Sequence, residues 1–127
     1  MNHVLLDSHI LLWLVEPGTK RLSARAKGII TDAENVHFSI ASLWEIAIKA
    51  AKGQLDIDLG ILSAALDQAA LQELPIKRQH IQMLRTLSFH HRDPFDRMLV
   101  AQAITEPLHL LTSDEKLQPY SDLVVLV

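Results

Sequence analysis

Four acidic residues, Asp7, Glu45, Asp96 and Asp114, each stand where an apolar run has just ended or a helix is about to begin. The segments are Val4-Leu5-Leu6-Asp7-Ser8, Ser42-Leu43-Trp44-Glu45, Asp93-Pro94-Phe95-Asp96-Arg97 and Leu110-Leu111-Thr112-Ser113-Asp114. A carboxylate brought close to an interior is costly unless something positive meets it, so such a set invites a bound cation. The chain has no cysteine, which leaves oxygen and imidazole as donors. Oxygen ligands select hard ions, here Mg²⁺ with Mn²⁺ as its substitute. The chemistry expected of that arrangement is metal-dependent phosphodiester hydrolysis by an activated water. Arg92, Arg97 and Lys49 are the nearest cationic candidates for contacting phosphate.

Each acid also has a structural explanation. Ser42-x-x-Glu45 has capping-box spacing, and Glu45 with Lys49 forms a favourable i,i+4 pair worth a few tenths of a kcal/mol. Asp93 reads as a helix cap, Asp96 falls where the helix dipole favours an anion, and Asp114 with Ser113 suits a short helical turn. Asp7 resists this treatment, because capping only weakly explains a carboxylate that ends an apolar strand. Among the seven histidines, the adjacent His90 and His91 read as solvated or phosphate-side residues rather than a zinc site, and His9 as a packing residue. Trp13 and Trp44 are expected in the core, with part of the first helix as an alternative subunit contact.

The elements that must position these residues alternate between strand-like and helix-like periodicity, which favours an α/β fold with a parallel sheet covered on both faces. Val4–Leu6, Val36–Ser39, a brief strand or turn at Leu74-Pro75, Leu108–Thr112 and Leu123–Val127 read as strands. Helices are expected from Ile10 to Val15, capped by Ser8 and stopped at Pro17-Gly18, and from Ser23 to about Ala33. Others open at Ser39 or Ser42 and run through Ala51 to Gly53, span Leu59–Leu71 and Lys77–Leu87, and start at Pro94 behind an Asp93 cap, reaching about Thr105. The expected layout is one three-layer α/β/α domain spanning residues 1–127. In such sheets ligands gather beyond the carboxyl ends of the strands, where all four acids could converge.

At 127 residues and 49% apolar, the chain is the size of one ordinary globular domain with a real core. Its longest apolar stretch, Ile10–Val15, is far short of the roughly 20 residues of a membrane span, and a cytoplasmic protein with no membrane partner is expected. A formal charge of −3 denies it a broad positive field, so a nucleic-acid partner would have to meet local basic groups such as Lys20, Arg21, Arg25 and Lys27, or Arg92 and Arg97.

Three segments, Val4-Leu5-Leu6-Asp7-Ser8-His9 with Leu12-Trp13, Ser42–Lys49, and His91–Ala103, together with Leu111–Asp114, resemble the PIN-domain family, in particular VapC-type toxins of toxin–antitoxin systems. The resemblance covers essentially the whole chain. It implies a PIN fold, Mg²⁺-dependent endoribonuclease activity on an RNA substrate, a homodimer, and a VapB-type antitoxin through which alone operator DNA is met. Carried over by position, the family's acids fall on Asp7, Glu45, Asp96 and Asp114, with Asp7 and Asp96 as the leading direct metal ligands. Asp93 is the rival for the third place, kept as a cap or supporting residue beside Ser8. Thr112 matches the family's hydroxyl residue and is expected to hold a neighbouring carboxylate. A reading from another class is a receiver-like phosphorylatable signalling domain, disfavoured by the single acid after the first strand and the missing lysine after the last.

Overall fold

The computed structural model describes residues 1–16 and 21–127. Pro17-Gly18, expected to stop the first helix, and Lys20 lie outside the described residues. The chain forms β1 (His3–Leu6), α1 (Ser8–Val15), α2 (Ala24–Asp32), β2 (Asn35–Ser39), α3 (Ile40–Ala51), α4 (Leu59–Gln68), β3 (Gln72–Leu74), α5 (Arg78–Leu84), α6 (Pro94–Thr105), β4 (His109–Thr112), a 3₁₀ helix (Glu115–Tyr120) and β5 (Val124–Leu126). All strand pairs are parallel, in the order β3-β2-β1-β4-β5.

A strand buried on both faces needs apolar residues at every position, and β1 supplies them. Val4 and Leu6 turn to one face, joining Leu111 of β4 and Phe38 of β2 against Ile10, Leu11, Ala26, Ile46, Leu62 and Leu66 of α1 to α4. Leu5 turns to the other, with Leu110 and Val124, against Leu99, Val100 and Ala103 of α6 and Leu117 of the 3₁₀ helix. The result is the three-layer α/β/α domain expected. Burial of each such leucine stabilises by about 2 kcal/mol, and a charge at Leu5 would meet apolar groups on every side.

Local chemistry sets the element ends. Ser23 caps α2 by accepting the Ala26 N–H (3.0 Å), as its position suggested. Of the two serines that could open α3, it is Ser39, accepting from the Ala41 N–H (3.0 Å). Ser42 lies one turn inside the helix, so the Ser42–Glu45 capping box does not form and Glu45 falls in the second turn. Helix α1 is capped by Asp7 rather than Ser8, through the Ile10 N–H (2.8 Å). Helix α4 stops at Gln68, short of Leu71, because Ala70 takes a left-handed conformation (φ 56°) that ends it. Helix α5 is likewise shorter than expected, ending at Leu84.

The strand order reverses at β1, which leads through helices to β2 on one side and is paired with the late strand β4 on the other. The crevice beyond the ends of β1 and β4 is therefore the switch point where open α/β sheets bind ligands. This order also departs from the 2-1-3-4-5 order of receiver-type domains, which removes the signalling reading.

Candidate active site

Asp7 follows the last residue of β1, at the crevice, and is 4% exposed. Its Oδ1 accepts the Ile10 N–H and its Oδ2 accepts the hydroxyl of Thr112, the last residue of β4. Thr112 also accepts the Asp114 N–H (3.0 Å), so one hydroxyl ties the two central strand ends together. Burial raises the Asp7 carboxyl above the usual carboxylate range, with neighbouring Glu45 adding to the rise; the Thr112 and Ile10 hydrogen bonds and the nearby His9 oppose it.

Helix α3 brings in Glu45, 5% exposed. Ser8 Oγ donates to Glu45 Oε1 (2.6 Å), and Lys49 Nζ lies 3.0 Å from Glu45 Oε2, one turn along the helix. Lys49 thus sits at the site as the counter-ion of Glu45. Helix α6 brings in Asp93 and Asp96 at its N-terminus. Asp93 Oδ1 caps the helix by accepting the N–H groups of Phe95 (2.8 Å) and Asp96 (3.0 Å), which leaves Oδ2 clear of the cap. Asp96 Oδ2 meets His91 Nε2 at 2.9 Å. Burial pushes the Asp96 carboxyl up to about 6, reinforced by the negative charges of Asp93 and Glu45 and opposed by His91.

Glu45 is therefore felt by both Asp7 and Asp96 and joins the strand-end group to the α6 group. Asp114 is attached less directly. Its backbone reaches Thr112, while its half-buried side chain caps the 3₁₀ helix through the Lys116 N–H (3.0 Å).

Three expectations need correction. Arg97 is not poised for phosphate: it is 8% exposed, its guanidinium donates to the carbonyls of Ser88 (2.9 Å) and Leu84 (3.4 Å) and to the Tyr120 hydroxyl (3.0 Å), and it lies 4.3 Å from the Phe89 ring centroid. Two aromatic rings and three acceptors make it a buried brace, whereas Arg92 is exposed. Trp44 is not in the core but 58% exposed, packed edge-on against Phe95 with ring centroids 5.0 Å apart. A helix residue next to a buried one turns about 100° away from it, and burial of Glu45 accordingly turns Trp44 outward. His91 is not simply solvated, since its imidazole is paired with Asp96. Its only sequence signal was a position five residues ahead of an acid at a loop-to-helix junction, too weak to separate it from His90.

The residues fit a hard divalent cation. Asp7 and Asp96, whose protons are held above the usual carboxylate range by burial and by neighbouring acids, would lower their free energy by exchanging protons for a dication, and every donor in the set except His91 is oxygen. Among the described residues, the donor atoms of His91, Asp93 and Asp96 lie within 4.8 Å of one another.

The molecule is an all-parallel α/β domain with acids gathered at its switch point. The chain belongs to the PIN domain family, whose model matches residues 4–123. No curated relative matches the sequence. Among solved structures, the chain is similar to VapBC2 from Rickettsia felis bound to a DNA fragment from its promoter, with a TM-score of 0.70, 14% identity, and coverage of 98% of this chain and 96% of that one. It is similar to FitAcB from Neisseria gonorrhoeae, with a TM-score of 0.69, 18% identity, and coverage of 98% and 96%. A toxin–antitoxin complex from Klebsiella pneumoniae gives a TM-score of 0.66, 18% identity, and coverage of 96% and 95%.

Proposed function

We propose that this protein is a divalent-metal-dependent endoribonuclease, Mg²⁺ being the working ion and Mn²⁺ its substitute. In this reading it is the VapC-type toxin of a toxin–antitoxin module, is held in check by a VapB-type antitoxin and works as a homodimer. Operator DNA is reached only through the antitoxin, because the chain's formal charge of −3 offers DNA little attraction. The observation that carries the reading is the gathering of Asp7 and Asp96 about Glu45: one buried and one partly buried acid, both raised in pKa, at the carboxyl edge of a parallel sheet. The company kept by similar folds, complexes of toxin with antitoxin, supports the partner.

The chain's own residues have distinct tasks. Ile10 and Thr112 fix the two oxygens of Asp7, and Ser8 and Lys49 fix those of Glu45, so the donor atoms are oriented before any ligand arrives. Asp96 completes the ligand set, Asp114 bounds it, and Asp93 holds the N-terminus of α6 in place. A divalent cation bound there supplies Lewis-acid polarisation of the scissile phosphate and makes an attacking water more acidic. The acidic edge by itself would repel an RNA phosphate, and the exposed Arg92 offers a cation for the RNA backbone. The test is cleavage of labelled single-stranded RNA, with a DNA strand of the same sequence beside it, by the native chain and by Asp7→Asn in Mg²⁺, in Mn²⁺ and in EDTA. RNA cut by the native chain with metal alone is expected; equal cutting by both chains, or cutting in EDTA, overturns the reading.

A further inference from the structure

The loop from Ser88 to Arg92 is built with more care than a solvated connection needs. The Tyr120 hydroxyl accepts the N–H of His91 (2.9 Å) and donates to the His91 carbonyl (3.1 Å), pinning one residue by both of its backbone groups. Arg97 donates to that same hydroxyl (3.0 Å) and to the Ser88 carbonyl (2.9 Å), so a buried guanidinium anchors both the loop and the tyrosine that holds it. The adjacent His90 lies edge-on to the Tyr120 ring, with centroids 5.0 Å apart, and is part of this brace. Such preorganisation fixes where the His91 imidazole goes, and it goes to Asp96, with Nε2 at 2.9 Å from Oδ2.

A hydrogen bond to Asp96 alone would be a modest return on this scaffold. The Asp93 oxygen stands within the same 4.8 Å span as His91 and Asp96, an arrangement of one nitrogen and two oxygens that can close around a single ion. We infer that His91 Nε2 is itself a ligand of the divalent cation at this site, beside Asp96 and Asp93, giving the centre a mixed nitrogen–oxygen character. This rests on the cation-binding reading above and extends it to the choice of metal. Imidazole suits Mn²⁺ and its later first-row neighbours, whereas Mg²⁺ prefers oxygen and keeps its waters. His91 therefore strengthens Mn²⁺ binding relative to an all-oxygen site and leaves Mg²⁺ binding little changed.

The experiment is pulsed electron spin resonance on Mn²⁺ added to the full chain, together with Mn²⁺ and Mg²⁺ titrations, for the native protein, His91→Gln and His90→Gln. Gln keeps the backbone groups that Tyr120 holds, and thermal melting checks that each variant is folded. Expected is echo modulation from one imidazole nitrogen in the native protein and in His90→Gln, lost in His91→Gln. Mn²⁺ affinity should fall about tenfold in His91→Gln while Mg²⁺ affinity changes less than about twofold. Mn²⁺ that binds without nitrogen modulation, or with modulation that survives His91→Gln, overturns the role of His91 and leaves the cation-binding reading standing. A native chain that binds neither ion overturns both.

Discussion

Helix α6 carries a histidine–carboxylate pair at each end, and the two pairs behave in opposite ways. At its N-terminus His91 meets Asp96 at 2.9 Å, and Asp96 is pushed up to about 6. At its C-terminus the fully buried His80 meets Glu106 at 2.5 Å, and Glu106 is lowered, first by that hydrogen bond and then by Lys77 and Gln79, against a smaller opposing burial effect. The helix dipole would stabilise the first acid and destabilise the second, at about 0.3–1 kcal/mol, so at both ends it is the weaker influence. Company decides instead. Glu106 is surrounded by donors and no other acid lowers or raises it, while Asp96 is desolvated beside Asp93 and Glu45. One end is a finished structural contact; the other is left incomplete, which is what a ligand site requires.

The largest separation between the ends should be in activity. Asp96→Asn is expected to reduce metal-dependent RNA cleavage more than about a hundredfold, beyond the 10–100-fold typical of groups that only support a metal ligand. Glu106→Gln should leave the rate within about twofold. Initial rates at saturating Mn²⁺ check both, and comparable losses in the two variants would erase the distinction between the ends.

Stability should reverse that ranking. His80→Ala removes a side chain with no exposed surface that also accepts the Lys77 N–H (3.0 Å), leaving a cavity and an orphaned donor. A loss of about 2–3 kcal/mol is expected, read as a lower urea midpoint at unchanged slope. His91→Ala, whose side chain is a fifth exposed, should cost less than about 1 kcal/mol. A smaller effect on activity is expected from Thr112→Val: the hydroxyl that orients Asp7 and accepts the Asp114 N–H is lost while the strand packing is kept, so cleavage should fall about tenfold, with a stability loss of about 1–2 kcal/mol for the buried partners left unmet.

Much of this contrast was legible in the sequence, for identifiable reasons. Val4-Leu5-Leu6-Asp7 could be read because a run buried on both faces leaves no polar position until the strand ends, and Asp93-Pro94 because a cap and a proline at the first helical position act locally. Long-range pairings were not legible. Nothing near Arg97 in the chain announces that Tyr120, 23 residues on, will accept its hydrogen bond, and nothing near His91 separates it from His90 until that tyrosine fixes the loop. Trp44 departs from the core position expected of a large aromatic residue because the helical turn that buries Glu45 carries its neighbour outward.

The smallest effect, and the one that tests the comparison most directly, is the dependence of metal-free stability on pH. Asp96 titrates near 6 in the folded protein against 3.8 for an ordinary aspartate, so between those values the folded state holds a proton that the unfolded chain has released. Stability contributed there falls as pH rises from about 4 to about 6, and the cost is complete above that range. Asp7, also raised, acts in the same direction. Glu106 is lowered from 4.5, so its contribution is full above 4.5 and is lost as pH falls through its depressed folded value. In EDTA the melting temperature should therefore rise on acidification from pH 7 to about 5, then fall in stronger acid. Asp96→Asn should flatten the first limb by about 1 kcal/mol, a figure reduced for partial solvent exposure, and Glu106→Gln should flatten only the second. Saturating Mn²⁺ should abolish the first limb near neutral pH, because a cation replaces the proton there, and should leave the acid limb of Glu106 in place. A first limb that persists unchanged in Asp96→Asn would show that the α6 N-terminus is no less complete than its opposite end.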